Sequence, residues 1–390
     1  MLNRRILRIK AMQSLYGYYI NKQSLKEVVK NELVSRYALD PAVHDFLDLD
    51  TFESKQSRIG DAYEKALLSG TPVDDQLDND ILNDIENHIG TYRRKLDSEY
   101  KSIRKSMLDD TRSIFDWYVK LLLLPGELSF LEKQEKEKSA KSLVAKSAKW
   151  NFNLEKNPLS LQLNTHPELL KYSIDNRINW DGEHDAIKQW YRDLIKPDEL
   201  FIAYQELQDP TIEQHQEAII EIFKKTIFKH AIPENYFTEK ILHWAEDKPV
   251  IKGMVLKTIK SYEPDLDDKF EIRSLCVNQE EDFEYFERLL KETVKNDDRL
   301  DEIISQRAKN WDLSRIAILD MILLKMAITE MIEFPSIPVK VTINEFIEIS
   351  KNYSTAKSKQ FINGILDVLA NQLTSEGVIR KSGRGLIDNK

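Results

Sequence analysis

The stretch of sequence that decides the fold is residues 338–373, PVKVTINEFIEISKNYSTAKSKQFINGILDVLANQL. Its apolar residues recur at three- and four-residue intervals, which places them along one face of a helix. We expect the following side chains to be packing residues: Ile343, Phe346, Ile347, Phe361, Ile365 and Leu366. The pattern predicts two helices, over residues 342–352 and 355–373.

Two local signals within this stretch carry further predictions. Thr342 and Glu345 have the spacing of a capping box, so the first helix is predicted to begin at Thr342, after Pro338. Gly364 interrupts the apolar part of the second helix, where glycine costs about 1 kcal/mol relative to alanine. We therefore expect another segment of backbone to approach Gly364 closely.

The rest of the 390-residue chain has the same helical character. It contains only 11 glycines and 12 prolines, and charged residues make up 32% of it, a composition that suits long helices. Helical spacing also covers residues 4–20, 24–39, 42–69, 74–124, 183–275, 281–295, 297–310 and 313–333. Pro125 and Gly126 are predicted to end the longest helix, and the Asn- and Pro-rich residues 150–182 to form an extended connection. The fold class is predicted to be all-α.

Composition and motifs argue against several functional classes. The single cysteine, Cys276, excludes an internal disulfide and a cysteine-based zinc site. No glycine-rich phosphate loop, zinc-protease or hydrolase motif is present, and no two histidines have the spacing of metal ligands. We therefore expect a binding protein with no catalytic residues, cofactor or metal. The chain also lacks a signal peptide and any run of 18 apolar residues, which predicts a cytoplasmic protein without a membrane span.

The distribution of charge indicates a polyanion as the ligand. The net charge is −9, yet residues 4–10 and 351–360 contain several bases and no acid. Arginine and lysine neutralise phosphates, and aromatic rings stack on unpaired bases. If these two basic segments lie side by side, they form a groove for single-stranded RNA. Taken separately, each segment is also compatible with an ordinary solvated helix face.

Several sequence blocks resemble the NusB family of transcription antitermination factors. They are RRILR at residues 4–8, MQSLY at residues 12–16, PVKVTINEFIEI at residues 338–349 and FINGILD at residues 361–367. The resemblance implies an all-α fold of two packed bundles of three to four helices. It divides the chain into a first family helix (1–22), a large helical insertion (23–282), a NusB-like bundle (283–374) and a basic tail (375–390).

The resemblance also implies a function and a set of site residues. Members of the family bind the boxA element of nascent RNA together with NusE, the tenth small-subunit ribosomal protein, and promote processive transcription of ribosomal RNA by RNA polymerase. Carried over to this chain, the RNA-binding residues are Arg4, Arg5, Arg8, Lys351, Tyr353, Ser358, Lys359 and Phe361. The residues expected to face the ribosomal-protein partner are Asp320, Tyr16 and Glu330. Lys10 and Lys357 depart from the family pattern and add cations to the RNA surface.

The sequence leaves alternatives to this function open. The chain could be a helical protein-interaction scaffold that has lost RNA binding. A fused RNA methyltransferase is disfavoured, because the insertion has neither a glycine-rich cofactor loop nor a catalytic cysteine. The insertion itself has no recognisable chemistry and could lengthen the bundle, contact polymerase or mediate self-association.

Overall fold

The computed structural model describes residues 2–38, 49–72, 74–141, 150–263, 270–307 and 316–387. Within these ranges all regular secondary structure is helical, which confirms the all-α fold class. The α-helices are α1 (Arg4–Ser35), α2 (Leu49–Ser69), α3 (Asn79–Lys141), α4 (Pro158–Thr165), α5 (Pro167–Asn176), α6 (His184–Gln189), α7 (Glu199–Glu206), α8 (Ile212–Glu221), α9 (Ala231–Lys240), α10 (Trp244–Lys260), α11 (Gln279–Lys295), α12 (Asp297–Arg307), α13 (Ile318–Glu333), α14 (Val339–Tyr353) and α15 (Ser358–Ser375). Two π-helical turns occupy Trp190–Ile195 and Ile222–Ile227, and a 3₁₀ turn occupies Gly383–Leu386.

The chain divides into two compact units. Unit 1 comprises Met1–Ile6 and Asp109–Asp282, and unit 2 comprises Leu7–Leu108 and Phe283–Lys390. Helices α1 and α3 each contribute residues to both units. The domain limits expected from the family resemblance, at residues 22, 282 and 374, stay a prediction.

Helix α13 is the centre of one core of unit 2. It packs against α12, α14 and α15. Its side chains are buried on nearly every side, at Ile322, Leu323, Leu324, Met326, Ala327, Ile328 and Met331. A helix that is apolar around its whole circumference must be enclosed by other helices to exclude water. This accounts for its central position in the bundle.

A second core of unit 2 joins the later part of α1 to α2 and to the beginning of α3. Val29 and Leu33 of α1 pack with Tyr63 of α2 and Ile85 of α3, all fully buried. The sequence predicted two helices in this region, with a new start at Ser24. Instead α1 continues unbroken to Ser35, because its apolar residues keep helical spacing through the predicted boundary and are covered by α2 and α3.

Unit 1 contains α4–α10 and the second half of α3. The prediction that Pro125 and Gly126 end a helix is wrong, since both lie inside α3. An internal proline costs about 3 kcal/mol, but Leu124 and Leu128, fully buried on either side of it, hold the helix together. A side chain at position 126 would collide with Asn164, so glycine permits close packing there.

The predicted extended connection over residues 150–182 is also wrong, because it contains α4 and α5. Pro158 and Pro167 stand in the first turn of these helices, where a missing backbone N–H has no cost. The side chain of Asn157 accepts hydrogen bonds from the first backbone N–H groups of α4. The residues that suggested a loop are in fact the signals that start two short helices.

Two local predictions for α14 and α15 fail as well. Helix α14 begins at Val339, with Pro338 at its N-cap, so Thr342 lies one turn inside the helix and makes no capping box. Its hydroxyl bonds Glu330 of α13 instead. At Gly364, an added Cβ would have no atom within 4 Å, so no backbone approaches it. In the described ranges, none of the helices combines the length and the apolarity that crossing a lipid bilayer requires.

Candidate functional site

A buried ion pair joins the start of the chain to the C-terminal helices of unit 2. The Arg8 guanidinium donates from Nε and Nη2 to the two carboxylate oxygens of Glu330, both at 2.8 Å. The residues are 322 positions apart in sequence, and their side chains are 3% and 0% exposed. Two parallel charge-assisted hydrogen bonds of this kind fix both position and orientation. Helix α1 is therefore held against α13 by a specific polar contact.

Three further side chains complete this buried polar cluster. The hydroxyl of Thr342 donates to Glu330 at 2.7 Å, and that of Tyr285 donates to the same carboxylate. Glu345 lies 3.6 Å from the Arg8 guanidinium, which also faces the Phe346 ring. Burial by itself would lower the pKa of Arg8, but the Glu330 carboxylate outweighs burial and holds the pKa above its ordinary value. Arg8 is thus permanently charged and fully engaged.

Burial bears on three of the predicted roles, which stay predictions. Arg8 and Lys10, predicted to bind RNA, are each only 3% exposed, so their side chains do not form part of the solvent-facing surface. Glu330, predicted to face a protein partner, is completely buried. For Arg8 and Glu330 the physical reason is that a charge taken out of water must be neutralised inside the protein, and each neutralises the other. We assign Arg8 and Glu330 a structural role.

The other two arginines of α1 that were predicted to bind RNA, Arg4 and Arg5, belong to unit 1. Arg4 is about one-third exposed and forms ion pairs with Glu281 and Asp282, the latter at 3.4 Å. Arg5 is exposed and also has a polar or electrostatic contact. Pairs of this exposure contribute about 0–1 kcal/mol and exchange readily for other partners. The predicted role of Arg4 and Arg5 as RNA contacts stays a prediction.

A second polar cluster lies where α14 is followed by α15. Asp320 of α13, 5% exposed, accepts hydrogen bonds from the hydroxyls of Ser354 at 2.5 Å and Ser358 at 2.6 Å. Thr355 bonds the same Ser358 hydroxyl at 2.8 Å. Asp320 and Ser358 were predicted to contact the partner and RNA, respectively. Those two roles stay predictions, while the hydrogen bonds between these residues fix the turn that presents the neighbouring basic residues.

The remaining predicted residues lie at the surface. Lys351, Lys357 and Lys359 are exposed, and Tyr353 and Phe361 are partly exposed. Lys351 pairs with Glu348. Among the residues that the structure describes, Lys357 and Lys359 have no ion-pair partner. Tyr16 is 45% exposed on α1. The structure therefore brings Lys351, Tyr353, Lys357, Lys359 and Phe361 together around one end of α14 and the start of α15.

One charged cluster of unit 2 was missed from the sequence. Lys325 of α13 is 4% exposed and forms ion pairs with Asp297 and with Asp301, the latter at 2.8 Å. Lys22 and Tyr19 of α1 also bond Asp297, at 2.6 and 2.5 Å. The Lys325 and Lys22 ammonium groups outweigh burial and hold the pKa of Asp297 below its usual range. The sequence feature that could have indicated this cluster is Lys325, which lies in the middle of the apolar helix 318–333. A lysine buried at such a position needs an acidic partner.

The described ranges contain no group of three His, Cys, Asp or Glu side chains arranged to hold a metal ion. At the surface of unit 2, the α14–α15 turn presents cationic and aromatic side chains. These groups suit the binding of phosphate and of unpaired bases.

Comparison with known proteins identifies a family for part of the chain. Residues 249–371 match the NusB family, whose members are non-enzymatic transcription antitermination factors. Transcription antitermination proteins NusB from Chloroherpeton thalassium, Salinibacter ruber and Natranaerobius thermophilus are 48%, 45% and 41% identical to this chain. These identities hold over aligned segments of 101, 104 and 91 residues, respectively. The aligned segments cover 26%, 27% and 23% of this chain, and 48%, 65% and 66% of the respective relatives. The chain thus spans about half to two thirds of the length of these relatives. No solved structure matches the chain.

Proposed function

Because residues 249–371 form a NusB-family domain, we propose that this protein is an RNA-binding transcription antitermination factor. Its RNA ligand is a boxA-like single strand, bound together with the ribosomal protein NusE. The complex acts on RNA polymerase in the cytoplasm to make transcription of ribosomal RNA processive, and it involves no catalytic step. The family match is the observation that carries this proposal. In the same proposal, residues 23–282 are an insertion between the first family helix and the bundle 283–374, and residues 375–390 are a basic tail. The end of this insertion, residues 249–282, overlaps the stretch that matches the family.

The RNA surface that we propose is smaller than the resemblance suggested. Its cations are Lys351, Lys357 and Lys359 of unit 2. Arg4 and Arg5, which belong to unit 1, stay predicted phosphate contacts. Tyr353 and Phe361 supply aromatic rings beside the lysines, where they stack on bases. Arg8, Lys10 and Ser358 are left out because they are buried. Of the residues predicted to face the ribosomal protein, Tyr16 alone is exposed and is kept as a contact.

Lys357 and Lys359 offer the sharpest test of RNA binding. We expect Lys357→Gln and Lys359→Gln together to weaken binding of a boxA-like RNA and to reduce the slope of log K against log salt by about 1.4, which is about 0.7 for each lost phosphate contact. Binding is measured by fluorescence anisotropy over a range of salt concentrations, with and without NusE. The matched control is Lys291→Gln, an exposed lysine on α11.

The same titration separates the second candidate function. A protein-interaction scaffold without RNA affinity is favoured by one observation, the engagement of Arg8 and Lys10 inside the fold. In that case NusE binds, but RNA does not bind even when NusE is present, and the lysine substitutions change nothing. Loss of affinity and of salt slope in the double variant, with the Lys291 control unchanged, supports the antitermination factor.

A further inference from the structure

Unit 1 contains a preformed groove between α7 and α8 that the proposed function does not use. Its volume is about 320 Å³, within the range of ligand-binding pockets. Its lining is mostly apolar and includes Ile195, Phe201, Ala203, Tyr204, Ala218 and Ile222. Beside it, Leu200 of α7 is 51% exposed. Apolar side chains that line an open groove mark a binding surface more often than isolated exposed ones do.

The two helices that form the groove are held in place by a buried hydrogen-bond network. The Tyr204 hydroxyl of α7 bonds the His215 ring of α8 at 2.7 Å and donates to the Asn153 carbonyl at 2.9 Å. The Asn157 amide donates to both the Tyr204 hydroxyl and the His215 carbonyl, at 3.1 and 3.0 Å. A groove whose walls are fixed before binding loses little conformational entropy when it is filled.

Both π-helical turns contribute residues to this groove. Ile195 comes from the turn Trp190–Ile195, and Ile222, Lys225 and Thr226 come from the turn Ile222–Ile227. A π-helical turn is less stable than a regular α-helical one and occurs frequently at functional sites.

The charge around the groove determines which partner it suits. Residues 198–221 contain seven acidic residues and no lysine or arginine. Asp198, Glu217 and Glu221 lie on the groove itself, where Lys225 is the one cation, 3.9 Å from Asp198. Burial lowers the pKa of His215, so this histidine adds no positive charge at neutral pH. The resulting negative potential repels RNA and attracts cations.

From these observations we infer that the α7–α8 groove binds a basic amphipathic helix of a partner protein. The apolar side of such a helix fills the groove, as in other helix-in-groove complexes, and its lysines or arginines face Asp198, Glu217 and the exposed acids nearby. The insertion therefore adds a protein-binding site to the chain, separate from the RNA surface proposed for unit 2. This inference does not depend on the proposed antitermination function.

The probe is a fluorescent peptide of about 18 residues, or five helical turns, with leucines on one face and lysines on the other. We expect it to bind the full-length chain saturably, and to bind more weakly as salt is raised. A peptide with glutamate in place of lysine, and one with the lysine–leucine sequence scrambled, are the matched controls. Neither of them is expected to bind.

Two substitutions in the groove test where the peptide binds. Ala203→Trp fills the groove and is expected to weaken binding at least about tenfold, and Glu217→Lys is expected to weaken it about fivefold. Both positions are exposed, so the fold is expected to tolerate either change. Ile174→Trp and Glu239→Lys, at exposed positions of α5 and α9 outside the groove, are expected to leave affinity unchanged.

Several results would overturn the inference. They are the absence of saturable binding, equal binding of the glutamate peptide, or peptide affinity that neither groove substitution changes. Sedimentation that shows a concentration-dependent dimer, abolished by Ala203→Trp, would assign the groove to a second copy of this chain instead of a partner protein.

Discussion

Replacing Arg8 with methionine tests the central structural assignment of unit 2. Methionine keeps most of the side-chain volume but removes both N–H groups that Glu330 accepts at 2.8 Å. The Glu330 carboxylate is 0% exposed, so it would remain buried without a counter-ion. Breaking one partner out of a buried pair costs about 3–5 kcal/mol. We expect a value near the lower end, because Thr342 and Tyr285 still donate to the carboxylate.

The double variant Arg8→Met, Glu330→Gln separates the cost of a lone charge from the loss of packing. Removing both charges is expected to recover about 2 kcal/mol, since no ion is then left in the core. The matched control is Arg5→Met, an exposed position where the change in unfolding free energy is expected to stay within about 0.5 kcal/mol.

The measurement must report on unit 2 alone, because a chain of two compact units need not unfold in a single step. Hydrogen exchange of peptides from α13 and α14, followed by mass spectrometry, gives the opening free energy of these helices. A loss below about 1 kcal/mol in Arg8→Met would refute the reasoning. That result would mean that the Arg8 side chain is exposed to solvent and not held in a buried ion pair. The prediction that Arg8 contacts RNA would then stand again.

Three further residues of unit 2 give predictions of known sign. At Gly385 an added Cβ would lie 2.0 Å from the Pro335 carbonyl oxygen, so Gly385→Ala should detach the C-terminal tail and speed its hydrogen exchange. Gly364→Ala, inside α15 with no atom within 4 Å of the new Cβ, should stabilise the chain by about 1 kcal/mol in urea unfolding. Burial lowers the pKa of Lys381 to about 8 from an ordinary 10.5. Between those pH values the unfolded chain alone holds the proton of Lys381, so the contribution of this residue to the free energy of unfolding rises with pH. Lys381→Met should remove that contribution in a pH series of urea titrations.

Much of the secondary structure follows from local sequence pattern. Apolar spacing predicted α11 and α13 and most of α15, and the blocks at residues 338–349 and 361–367 indicated the family that the comparisons confirm over residues 249–371. Local pattern is sufficient here because a helix exposes its apolar face at a fixed period, whatever it packs against. Local pattern failed at residues that are compatible with two different local structures. Pro158 and Pro167 start helices, whereas Pro125 sits inside one that packing supports.

The sequence by itself determined that this protein is helical, that residues 249–371 match the NusB family and that its basic residues are concentrated in a few segments. Only the tertiary structure decided which of those charges face solvent. Arg8 pairs with a carboxylate that is 322 positions away in the sequence. The Asp320 carboxylate accepts hydrogen bonds from two hydroxyls of the α14–α15 turn. Burial and ion pairing depend on which distant helices meet, and nothing in the local period of a helix encodes that.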